Sequence, residues 1–173
     1  LQNKLNEHFM KKVFLSLLIS LIALTVSAQI QRSFLGCTLT SSYQEVKDHL
    51  TQEKYDFESD DDLIVVSNTK FAGFDCEYIS FEFYKSKLIA VTINYESTYI
   101  KRNLLKTLDI LADKLDNKYS SFKVLNLEDA KVYMDDKTKC YLAITGNGSM
   151  WLYMRYKDKQ LSDEMEAEND SEL

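Results

Sequence analysis

The stretch Cys76-Glu77-Tyr78-Ile79-Ser80-Phe81-Glu82-Phe83-Tyr84, Lys85-Ser86-Lys87, Leu88-Ile89-Ala90-Val91-Thr92-Ile93-Asn94-Tyr95 reads as a β-hairpin. Two runs rich in β-branched and aromatic residues flank a short polar turn. In the first run Ile79, Phe81 and Phe83 point one way, and Tyr78, Ser80, Glu82 and Tyr84 the other, because strand side chains alternate. In the second, Ile89, Val91 and Ile93 match the apolar set and leave Ala90, Thr92 and Asn94 outside. One face is greasy; the other is polar and dotted with tyrosine.

Upstream of this hairpin, Leu63-Ile64-Val65-Val66 begins a strand that reaches toward Phe71, and Ala72-Gly73-Phe74-Asp75 turns into the hairpin. Residues 55–62 are acidic and read as a strand end plus loop. Ser42 followed by Glu45 has the spacing of a capping box. Tyr43, Val46 and Leu50 follow at helical spacing, so a helix of about three turns is expected to run to Gln52. Residues 29–39 form an extended entry.

Downstream, Ser97 or Thr98 is expected to cap a second helix. Ile100, Leu104, Leu108, Leu111 and Leu115 form its apolar stripe, widened by Leu105 and Ala112, and Lys106, Asp109, Asp113 and Asp116 its polar face. Residues 117–121 end it. Three strands follow: 131–135 with Val132 and Met134 inward and Tyr133 outward, 139–145, and 150–156 after the turn at Gly146-Asn147-Gly148-Ser149. In the last two, Tyr141, Trp151, Tyr153 and Arg155 point outward. The expected fold class is α+β: two helix-plus-three-strand units forming one antiparallel sheet with both helices on one face.

Met10-Lys11-Lys12, the apolar run 13–26 and the small residues Val26-Ser27-Ala28 have the three parts of a secretory signal peptide. Residues 1–28 are therefore read as an upstream segment plus signal, 29–157 as a single α+β domain and 158–173 as an acidic disordered tail. The apolar run is short for a bilayer span, which takes about 20 residues. Phe34-Leu35-Gly36-Cys37 has the look of a lipobox, but polar residues separate it from the apolar run, so Cys37 reads as an ordinary residue. The expected location is outside the cytoplasm: periplasmic, cell-surface or secreted.

Residues 29–157 hold 17 Lys and Arg against 19 Asp and Glu, whereas 158–173 hold one against seven. The acidity sits in the tail, and the body has no basic patch, so nucleic acid is not an expected partner. There is no proline. Export permits a disulfide among Cys37, Cys76 and Cys140, while three small buried hydrophobes is an equal reading; sequence does not choose.

Phe34-Leu35-Gly36 ahead of the capped helix at Ser42 to Val46, and Phe71-Ala72-Gly73-Phe74 leading into an aromatic hairpin, resemble small secreted bacterial proteins of unknown function with a β-lactamase-inhibitor-protein-like fold. The early capped helix is also similar to that of small outer-membrane assembly lipoproteins. The resemblance implies two helix-plus-strand units in one sheet over residues 34–156 and a binding role. It supplies no catalytic residues.

Few residues suggest chemistry. His49 beside Asp48 could serve a nucleophile such as Cys76, but it reads as a boundary histidine. Asp60-Asp61-Asp62 lacks the spacing of a calcium loop and reads as a solvated loop, as does Asp135-Asp136. Asn147-Gly148-Ser149 is a hairpin turn and only formally a glycosylation sequon. No catalytic residue, metal or cofactor is expected. The outward face gathers Tyr78, Tyr84, Tyr133, Tyr141, Trp151, Tyr153 and Arg155, residue types enriched at binding hot spots; strand preference alone also favours aromatics. The first expectation is a secreted non-catalytic module binding a protein or glycan on that face. A structural or assembly factor of the envelope, using the tail or first helix, is the second. A small hydrolase is the least favoured.

Overall fold

A computed structural model describes residues 29–98, 101–127, 130–146 and 149–171, with backbone alone at 96–98 and 101–103. The signal-like stretch, residues 99–100 and the turn residues 147–148 lie outside them. No helix among the described residues is long and apolar enough to cross a membrane.

A two-residue ribbon, β1 (Ser33–Phe34) and β2 (Cys37–Thr38), leads into α1 (Tyr43–Gln52). The expected capping box is present: Ser42 Oγ accepts from Glu45 N, and Glu45 Oε2 accepts from Ser42 N at 2.7 Å. Four strands follow: β3 (Phe57–Ser59), β4 (Leu63–Phe71), β5 (Phe74–Tyr84) and β6 (Lys87–Thr98). Then come α2 (Lys101–Lys118) and four more: β7 (Lys123–Leu127), β8 (Ala130–Met134), β9 (Thr138–Thr145) and β10 (Met150–Asp158). The last element is α3 (Lys159–Ser171).

The eight strands form one antiparallel sheet in the order β3-β4-β5-β6-β10-β9-β8-β7. Each half is a helix followed by a four-stranded meander, and the halves meet where β6 pairs with β10. The expected two three-strand units are thus corrected to two four-strand units. The additions are the edge strands: three-residue β3, and β7, mostly exposed and without the alternation that burial imposes. Ser97 and Thr98, expected as helix caps, instead end β6, in register with Trp151 and Met150.

The β5–β6 hairpin has the expected turn, tightened to two residues. Lys85 and Ser86 both take positive φ, 48° and 58°, which matches the twist of adjacent strands. Tyr43 N donates to Ser86 O at 3.0 Å, so the start of α1 is tied to the hairpin tip. A bulge between Glu82 and Phe83 pairs Phe83 with Leu88 and Glu82 with Ala90, leaving Ile89 as the extra residue, so Ile89 does not join the apolar set facing the helices.

One sheet face carries Ile64 and Val66, Ile79 and Phe81, Val91 and Ile93, Met154 and Tyr156, and Cys140 and Leu142. All are buried in one cluster with Val46 and Leu50 of α1 and Leu104, Leu108, Leu111 and Leu115 of α2. Both helices therefore cover the same face, as their stripes require. A fully buried ring such as Phe81 stabilises this layer by about 1.5–3 kcal/mol.

The expected disordered tail is corrected to a helix. Asp158 caps α3, its Oδ1 accepting from Leu161 N at 3.0 Å, and Ser162 is buried with its hydroxyl on Asp158 O. Asp158 also pairs with Arg32 of the entry segment. Composition alone offers α3 too little apolar surface; tertiary contacts supply the rest.

Candidate functional site

The sheet face opposite α1 and α2 is built from the alternate residues. From β7 to β4, one row runs Leu125, Val132, Tyr141, Arg155, Thr92, Ser80, Val65. The next runs Leu127, Ala130, Ala143, Tyr153, Asn94, Tyr78, Ser67. Trp151 continues β10 beyond Tyr153, in register with Thr145.

Arg155 is the centre of this face. Its Nη2 donates to Glu82 Oε2 at 2.6 Å, and its Nη1 to Thr92 Oγ1 at 3.4 Å. Thr92 Oγ1 donates in turn to Glu82 Oε1 at 3.2 Å. The arginine and glutamate side chains are each about one-third exposed, 32% and 31%, so the pair is neither sealed off nor fully solvated. Tyr78, Tyr141 and Tyr153 are half-buried around it, and Trp151 is exposed.

Six of the seven residues expected outward share this side: Tyr78, Tyr84, Tyr141, Trp151, Tyr153 and Arg155. Tyr133 does not. It lies fully buried on the helix face, in register with Cys140, and its hydroxyl donates to Asp116 Oδ1 at 2.7 Å. The expected parity of 131–135 is inverted: Val132 points to the open face. The reason is that Tyr133 and Val132 are both apolar enough to bury, so alternation gave no contrast, and the polar handle offered by Asp116 on α2 selected the tyrosine. Leu125 and Leu127, exposed on β7, extend the same face and were missed with their strand. The spacing Leu125-Asn126-Leu127 was the available signal.

At the other end of the face lies α3. Glu168 pairs with Lys85 and accepts from the Tyr84 hydroxyl. The shared hydrogen bonds raise the Lys85 pKa and lower that of Glu168. Glu166 faces Lys157 at 3.6 Å. Met165 closes a cavity of about 330 Å³ lined also by Glu82, Ile89, Ala90, Arg155 and Lys157.

The remaining candidates are occupied structurally. His49 Nε2 is 2.9 Å from Leu35 O, with its ring packed on Gly36. All three cysteines are free thiols and buried; burial pushes Cys76 up to about 11, away from the reactive thiolate. Asp135 accepts from Ile30 N at 2.7 Å and from Thr138 N at 2.6 Å, holding the β8–β9 turn to the entry segment. Asp60, Asp61 and Asp62 are exposed. No group of three or more His, Cys, Asp or Glu among the described residues is placed to hold a metal.

Comparisons with protein-family models, with curated proteins and with solved structures each return no match for this chain. What the arrangement can do follows from its own chemistry. A broad surface of tyrosine, tryptophan and leucine around a central Arg155–Glu82 pair offers contact area together with polar groups that orient a partner.

Proposed function

We propose that this chain is a non-catalytic binding module, exported to the bacterial envelope, that holds a protein partner on its open sheet face. The single observation that carries the reading is the gathering of Tyr78, Tyr141, Trp151 and Tyr153 around Arg155 on the face that α1 and α2 leave uncovered. Uncovered aromatic and leucine surface on one side of a sheet marks an interaction site. The breadth of the face suits a protein better than a glycan. The signal-like stretch at 10–28 supports export, and the occupied states of His49 and Cys76 support leaving catalysis out.

The test compares capture from an envelope extract by the unchanged chain and by Trp151→Ala, Arg155→Ala and Tyr133→Phe. A single partner lost with the first two changes and kept with the third is the expected result. Capture that ignores Trp151 and Arg155 would sink the reading, and release of the partner by free oligosaccharide would move it to glycan binding.

A further inference from the structure

The helix α3 lies across one end of the open face and is anchored unevenly. Its first turn is built into the fold through Asp158, Arg32 and buried Ser162. Leu161 and Met165 are half-buried, and every described residue after Met165 is exposed. Two ionic clasps hold that distal half: Glu166 on Lys157, and Glu168 on Lys85 and Tyr84. Exposed ion pairs contribute little. The acids of α3, from Asp163 to Asp170, crowd toward the C-terminal end, where the helix dipole disfavours negative charge. Among them, Glu166 and Glu168 answer the lysines beneath them rather than the needs of the helix.

We propose that α3 is a built-in stand-in for an acidic, amphipathic helical segment of the partner protein, which docks on Lys85 and Lys157 when the distal half of α3 swings away. The inference rests on the open face being the binding surface and names the partner's chemistry at one end of it. Charge complementarity carries it: Glu166 and Glu168 of α3 are seated on a basic row of Lys157 and Lys85, with Met165 over a cavity of about 330 Å³ as its apolar anchor. The weak clasp makes the occupant exchangeable.

The experiment uses the full chain and a dye-labelled peptide of residues 159–171, read by fluorescence anisotropy. The unchanged chain competes with the peptide through its own α3. Glu166→Ala with Glu168→Ala opens both clasps, and the variant binds the peptide at least about tenfold more tightly, since apparent affinity scales with the fraction of open sites. A second releasing change, Met165→Asp, gives the same gain. Adding Lys85→Glu and Lys157→Glu removes binding, and rising salt weakens it. Equal binding by the unchanged and released chains, or binding that survives both charge reversals, overturns the proposal. If the peptide results fail while Trp151→Ala still abolishes partner capture, this inference alone falls. If the peptide binds as expected but capture ignores Trp151, the broad-face reading falls and the basic row stands.

Discussion

Arg155 on β10 and Glu82 on β5 bond to each other across the intervening β6, with Nη2 and Oε2 2.6 Å apart and Thr92 bridging them from β6 itself. The contact spans the junction where the two halves of the sheet meet, so one ion pair ties both meanders together at the middle of the open face.

Arg155→Met is therefore expected to cost less than about 1 kcal/mol of stability, as partly exposed pairs do, while removing the polar handle of the binding face. Urea unfolding of Arg155→Met, Glu82→Gln and the double variant measures the coupling. A cost of several kcal/mol would mean the pair is there to hold the sheet together.

Tyr133 and Asp116 form the matching polar contact on the covered face. Tyr133→Phe removes the bonds to Asp116 Oδ1 at 2.7 Å and Ala112 O at 3.3 Å and should cost about 1 kcal/mol. Asp116 is held below its ordinary value of 3.8, first by the Lys131 hydrogen bond and then by Tyr133. A depressed carboxylate contributes stability that is present above the ordinary value and lost as pH falls through the lowered one. Melting temperature should thus drop as pH falls below about 4, and drop less in Asp116→Asn. An identical acid profile for the two chains would remove Asp116 from the account.

The thiols give a direct check on the core. Burial raises Cys37 and Cys76 to about 11 and Cys140 to about 12, and all three are free. Native protein at pH 8 should resist alkylation, and all 3 cysteines should titrate once it is unfolded without reductant. A single titrating thiol after unfolding would reveal a disulfide and contradict the free-thiol core.

Gly36 sits at φ +84°, and a Cβ there would meet His49 Nε2 at 2.1 Å. Gly36→Ala should destabilise by about 2 kcal/mol or more, from left-handed backbone strain plus the clash. Removing the ring with His49→Ala should recover the clash and not the strain, so the double variant lies between. If His49→Ala brings no recovery, the contact is not the cause.

The parts of this fold legible in the sequence are those whose periodicity is set by one buried face. The Cys76 to Tyr95 hairpin alternates, apart from the bulge at Ile89, because one side meets two helices. The α2 stripe recurs every three to four residues because one side meets the sheet, and the Ser42–Glu45 box is local chemistry that needs no tertiary partner. The seven-residue surface was legible to the same extent: where alternation contrasted apolar with polar, as around Arg155, the side chains came out on the expected face.

The rest was decided by contacts distant in sequence. Strand β7 carries apolar side chains on both faces, Val124 half-buried on one and Leu125 and Leu127 exposed on the other, so the Leu125-Asn126-Leu127 spacing alone was too short to set a period. Tyr133 and Val132 could each be buried, and Asp116, 17 residues away on α2, chose between them by accepting a hydrogen bond from the tyrosine hydroxyl. Residues 159–171 carry too little apolar surface to order themselves, and Arg32, 126 residues before Asp158, supplies the charge that seats their first turn. Local pattern determines an element when burial on one side is the dominant energy; where two neighbours could be buried equally, or where charge pairing holds the element, only the partner in space decides.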